Sequence, residues 1–164
     1  MPSLQYICLA LLATAPLASY AEKVRVVWSM GDFSTISGPS GNEHGHYKGF
    51  AIVNEDGDAI YDQAYPDDHA ACYNTGDGRE FTIEGDCWDT SRTFKCKGAF
   101  SGHPETCEVL DGDGNSLGKS EGKTDTTFIG IAIGMDGSCV VEFETDGDGC
   151  PIDDGNGPLH VVSG

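Results

Sequence analysis

Asp-Gly is the feature that most restricts this chain. The dipeptide occurs at 56–57, 77–78, 111–112, 113–114, 136–137, 146–147, 148–149 and 154–155, and Asn156-Gly157 is a close relative. Asn, Asp and Gly tolerate the positive φ angles of a type I′ turn, so these sites predict tight hairpin turns. Short runs with strand alternation lie between them. Val24, Val26, Trp28 and Met30 alternate with Arg25, Val27 and Ser29, and Phe50–Val53 and Ala59–Tyr61 flank Asn54-Glu55-Asp56-Gly57. Phe81 and Ile83 alternate with polar neighbours, as do Phe94 and Cys96; Val109-Leu110 and Leu159–Val162 are weaker strand candidates. No window carries a sustained apolar stripe at helical spacing. The expected fold is therefore a single all-β domain, an antiparallel sandwich or barrel of about seven to nine short strands. The clearest hairpin joins 127–133 to 139–144 across Met135-Asp136-Gly137-Ser138. Its first strand is apolar on both faces, which predicts a central position. The Asp-, Gly- and Pro-rich tail after Cys150 predicts loose order.

Residues 1–21 hold no charged side chain. They carry the apolar run Ile7–Ala13, then Pro16, then the small residues Ser19 and Ala21. This is the pattern of a cleavable secretory leader with cleavage after Ala21. The run is too short for the roughly 20 residues of a membrane span. Residues 22–164 then form the domain. Cys8 leaves with the leader, and Cys72, Cys87, Cys96, Cys107, Cys139 and Cys150 remain. An even number of cysteines in an oxidising compartment predicts three disulfides. Six cysteines allow 15 pairings; the spacing favours consecutive pairing, 72–87, 96–107 and 139–150.

The chain has 27 acidic against 9 basic residues, a formal net charge of −18. That excludes ordinary nucleic-acid recognition, which needs a basic face, and disfavours anionic lipid. The acidic loops invite calcium. Asp111-Gly112-Asp113-Gly114-Asn115 spaces its oxygens as an EF-hand loop does, but Ser116 stands where the sharp-turn Gly belongs and Gly122 where the bidentate Glu belongs. Hairpin turns whose Asp side chains bond their own backbone explain the pattern better. His44-Gly45-His46 sits beside Gly38-Pro39-Ser40-Gly41-Asn42, which predicts an exposed loop, not a metal-binding strand. A small ribonuclease would need His44 or His46, Glu80 or Glu84, and Arg79 or Arg92 to converge. Tyr47-Lys48-Gly49-Phe50 is similar to a segment of fungal guanyl-specific ribonucleases, but their initial helix has no counterpart here. No catalytic, cofactor or metal residue is assigned. Arg92, Lys95 and Lys97 break the acidic background on one strand, either as the guard of a sheet edge or counter-charge to an acidic neighbour, or as a docking patch for an acidic partner.

Taken together, these features resemble the small secreted cysteine-containing proteins of filamentous fungi, many of them effectors. Within that group, Val27-Trp28, Phe33, Tyr47, Gly49-Phe50, Ile52 and the turn at Asp56-Gly57 resemble the family of the Alternaria major allergen and related elicitors. The resemblance implies a compact β-barrel or sandwich without a catalytic site that binds host components and alters host defence. The expected function is extracellular, non-enzymatic binding of a host or cell-wall protein or glycan. A carbohydrate- or calcium-binding wall module and a small hydrolase are the alternatives. Candidate contacts are His44, His46 and Tyr47, the loop at Tyr65, Trp88, and Lys95 with Lys97.

Overall fold

The computed structural model describes residues 21–35, 44–63, 65–66, 72, 79–99, 103–129, 132–146 and 149–163. The strands are β1 (Lys23–Thr35), β2 (His44–Val53), β3 (Ala59–Asp62), β4 (Arg79–Glu84), β5 (Arg92–Gly98), β6 (Pro104–Leu110), β7 (Ser116–Glu121), β8 (Lys123–Ile129), β9 (Ala132–Glu144) and β10 (His160–Ser163). They form two antiparallel five-stranded sheets, ordered β3-β2-β1-β9-β8 and β10-β4-β5-β6-β7. This is the disulfide-stapled all-β sandwich that the alternation predicts.

Period-2 patterning decides which side chains meet between the sheets. Val24, Val26 and Trp28 of β1, Phe50 and Ile52 of β2, and Val141 and Phe143 of β9 are buried against Phe81, Ile83, Phe94 and Val109 of the second sheet. Phe50 is the hub. Its ring lies 4.9 Å from Phe81, 5.3 Å from Phe94, 5.5 Å from Trp28 and 5.9 Å from Tyr61, all edge-on, the geometry aromatic quadrupoles prefer.

Two hairpins show what the Asx-Gly sites do. In β2–β3, Asn54 Oδ1 accepts from Asp58 N, and Asn54 O accepts from Gly57 N. In β6–β7, Asp111 Oδ1 accepts from Asp113 N and Asn115 N, and Asp111 O accepts from Gly114 N. Within these two turns Gly57 and Gly114 have positive φ, at 90° and 84°, while Asp56 and Asp113 do not. The ladders shift by one residue beside each turn. These are therefore type I turns closed by a glycine bulge, not the type I′ turns expected.

The 127–144 hairpin also differs from expectation. β9 runs unbroken through Asp136-Gly137, and its register with β8 closes at Ile129 opposite Ala132. β8 lies at a sheet edge, and β9 is the inner strand of that pair. A Gly inside a ladder does not force a turn when partners flank it on both sides; Gly137 pairs with Met30 and with Thr124.

The disulfides are Cys72–Cys96, Cys87–Cys150 and Cys107–Cys139, so none of the consecutive pairs forms. Cys96 and Cys107 are direct cross-strand partners on β5 and β6, yet each bonds elsewhere. Both sulfurs face inward, where Cys107 meets Cys139 from the opposite sheet. Cys96 meets Cys72, brought in by the β3–β4 connection. The Cys107–Cys139 bond thus joins the two sheets.

At Gly122 the chain passes from β7 in one sheet to β8 in the other. Gly122 N donates to Glu105 O at 2.8 Å, and a Cβ there would lie 1.9 Å from Pro104 O, so only glycine fits this corner. Residues after Cys150 supply β10 against β4, bury Leu159, and bond Asp153 N to Ala59 O at 2.9 Å.

Candidate functional site

The two turns at one end of the sandwich enclose a cleft of about 550 Å³ lined by Thr90, Ser91, Arg92, Asp111, Asp113, Leu117, Glu144 and Asp146, with Gly112 at its rim. One wall is the β4–β5 connection, anchored by Cys87–Cys150 and by Trp88 N donating to Gly85 O. The other is the self-bonded Asp111–Asn115 turn, which Asn115 Nδ2 also ties to Asp111 Oδ2 at 2.9 Å. The two turns lie side by side: a Cβ built at Gly112 would meet the Thr90 Cβ at 3.6 Å, ordinary van der Waals contact.

Arg92 organises the floor. As the first residue of β5 it falls on the inward face with Phe94 and Cys96, and it is only 2% exposed. A buried guanidinium needs a counter-charge and acceptors. Its NH2 lies 2.6 Å from Asp146 Oδ2, and its NH1 donates to Thr90 O, Ser91 O and Thr90 Oγ1. The guanidinium carbon stands 5.9 Å from the Trp88 ring, within cation–π range. Arg92 Nε has no partner among the described residues.

Asp146 also accepts from Asp89 N and Thr90 Oγ1. Burial pushes its pKa up, but the Arg92 hydrogen bond and charge outweigh that and hold it below the usual carboxylate value. The bonds from Asn115 likewise lower Asp111, with Arg92 contributing. Both carboxylates stay ionised at neutral pH. The cleft therefore gathers four acidic side chains, Asp111, Asp113, Glu144 and Asp146, around the buried Arg92, with hydroxyls at Thr90 and Ser91 and an aliphatic patch at Leu117.

The candidate residues named from the sequence fall elsewhere. His44, His46 and Tyr47 lie on β2, not in a loop, at positions paired with Ser34, Asp32 and Gly31. The β1–β2 ladder runs further than the glycine-rich flank suggests. Tyr65 is 53% exposed, beside buried Pro66; Asp67 and Asp68 of that loop lie outside the described residues. Trp88 is core, 6% exposed and packed on Phe94 and Phe143, so it is no surface contact.

Lys95 and Lys97 point outward from β5, as expected, but β5 is the middle strand of its sheet and guards no edge. Register aligns Glu80, Lys95, Glu108 and Lys119 across four strands. Lys95 lies 2.9 Å from Glu80, Lys119 3.9 Å from Glu108, and Lys97 3.5 Å from Glu105. The cations are counter-charge within an alternating ladder, the arrangement cross-strand pairing favours.

Of the hydrolase set, the side chains of His44, His46 and Arg79 lie outside the described residues, and the described members do not come together. Glu80 and Glu84 face out from β4, where Glu84 meets His160, whereas Arg92 faces the core. Among the described residues, no three His, Cys, Asp or Glu side chains gather as a metal site, and no helix is long and apolar enough to cross a membrane. The cleft escaped sequence reading because its walls come from residues up to 56 positions apart, such as Thr90 and Asp146. The single local cue was an arginine in phase with Phe94 and Cys96. No protein-family model, curated protein or solved structure matches the chain.

Proposed function

We propose that this chain is a secreted, non-enzymatic binding protein of the effector or elicitor kind, acting outside the cell on a host or cell-wall partner. The observation that carries this reading is the cleft between the two pinned turns. Its walls are fixed by a disulfide, an ion pair and self-bonded Asx side chains, so little ordering cost falls due on binding. The Asp111 and Asp146 carboxylates are held ionised, which suits recognition of a basic or hydroxyl-bearing group and not proton donation. Three disulfides are compatible with the extracellular setting that the leader pattern implies.

The test is affinity capture from host extracellular fluid, followed by mass spectrometry, with the wild-type chain and an Asp113→Lys/Glu144→Lys variant. Both positions are exposed at the cleft rim, so the fold should persist. Loss of the captured partner from the variant supports the reading; an unchanged partner set refutes it. Glycan recognition is the second reading, favoured by the Thr90 and Ser91 hydroxyls beside carboxylate acceptors. Retention on insoluble chitin or glucan, with and without a chelator, separates it from protein binding.

A further inference from the structure

The start of the domain is built around one backbone nitrogen. Glu22 N donates to Thr145 Oγ1 at 3.2 Å, and that hydroxyl donates to Glu22 O at 3.1 Å. Thr145 N also donates to Glu22 O, at 2.8 Å, and Thr145 is 2% exposed. The Glu22 side chain turns inward. Its Oε2 is buried without a hydrogen-bond partner, and Gly149, at φ 89°, leaves it room, since a Cβ there would lie 2.6 Å from that oxygen. Glu55 stands alongside, with its Oε1 accepting from Lys23 N at 3.0 Å.

This corner holds more negative charge than it neutralises. Burial and then the Glu55 and Asp56 charges push the Glu22 carboxyl above its ordinary pKa, against a backbone bond from Cys150. Such a carboxylate calls for a nearby cation. Ala21, by contrast, is exposed, so the bond preceding Glu22 stands at the surface.

We infer that the Glu22 nitrogen is a seat for a free α-ammonium, and that leader removal between Ala21 and Glu22 is a stabilising maturation step. This rests on the secretory reading given above. Hydrolysis of the Ala21–Glu22 peptide by a leader peptidase consumes one water, leaving a carboxylate on Ala21 and an ammonium on Glu22. The new cation keeps its bond to Thr145 Oγ1 and gains two protons beside the Glu22, Glu55 and Asp56 carboxylates. Lys23 and Glu144, paired in register next door, and Asp146 are the other charges near the site. The mature terminus thus adds a second cation to a corner where Lys23 is the neighbouring one.

Three chains test this, beginning at Glu22, at Ala21 and at Ser19. The chain beginning at Glu22 melts about 3 °C above the other two. That gap exists at pH 7, below the ordinary α-amine pKa of about 8. It closes as the pH rises through the amine's raised folded-state value, because a group with a raised folded pKa stabilises only while protonated. Thr145→Val removes the gap, and Thr145→Ser, which keeps the hydroxyl, retains it. Equal melting of the three wild-type chains at pH 7 would overturn the ammonium seat while leaving the export reading intact. N-terminal sequencing of the secreted product supplies the separate check. A first residue other than Glu22 would overturn the maturation step itself.

Discussion

β1, β2 and β9 each pass through two different neighbourhoods. From Lys23 to Trp28, β1 lies over the second sheet, and its rows contain Val24, Val26, Trp28, Phe50, Ile52, Val141 and Phe143. From Ser29 to Thr35 the same strand continues into a four-stranded ribbon with β2, β9 and β8, where glycine recurs at 31, 45, 49, 134 and 137. β3 pairs only with the first half, β8 only with the second. All three disulfides belong to the first half or its partner sheet, and Cys139, opposite Trp28, marks the boundary. The first half carries the buried core rows and the inter-sheet staple; the ribbon continues the same backbone ladder beyond them. Pairing is continuous through both, so the difference teaches that one register can carry strands past the rows that hold the aromatic hub and the staples.

The largest break in this comparison comes from the hub. Phe50→Ala removes a ring that four aromatic neighbours contact, and should cost about 4 kcal/mol in urea denaturation. Thr124→Ala, on the exposed ribbon edge, should stay within about 0.5 kcal/mol. Equal costs would abolish the distinction. Replacing Cys107 and Cys139 together by Ser opens a loop of sequence separation 32 and should lose about 3–4 kcal/mol on the chain-entropy estimate. A loss below about 1 kcal/mol would mean that the inter-sheet staple is redundant with packing.

Asp146→Asn leaves the Arg92 guanidinium without its counter-charge. A fully buried pair would lose about 3–5 kcal/mol. The Asp146 side chain is 39% exposed, so solvent screening reduces the expected loss to about 2 kcal/mol. The sign with pH follows from the depressed folded-state pKa. Asp146 stabilises above the unfolded carboxylate value of about 3.9 and loses that contribution as the pH falls through its lower folded value. Denaturation at pH 7 and pH 2.5 should show the wild-type advantage over Asp146→Asn shrinking at acid pH; an advantage independent of pH would remove the ion pair as its cause. The smallest effect needs no mutation. In amide hydrogen exchange, residues 30–34 should open at lower free energy than residues 24–28 of the same strand, and uniform protection along β1 would contradict the two-region picture.

How much of this was legible depends on distance along the chain. Alternation at Val24–Trp28, Phe81–Ile83 and Phe94–Cys96 places strands and their inward faces correctly, because side-chain direction is a two-residue property. β7 was missed for the same reason: Ser116–Glu121 buries neither face, so it carries no alternating signal. The loop expected at His44–His46 became strand because pairing with β1 overrides a local glycine preference.

The sequence by itself determined an all-β chain, a hairpin closed at Asn54–Asp58, a tight turn at Asp111–Asn115, an outward Lys95 and Lys97, and six cysteines available for bonding. Each rests on neighbours within a few residues, where covalent geometry limits the choices. Only the tertiary structure decided that Cys107 takes Cys139 over its cross-strand neighbour Cys96, that Trp88 is core, and that Arg92 meets Asp146 beneath a cleft. Those outcomes depend on which side chain lies across the interior from another sheet, and separation along the chain carries no information about that.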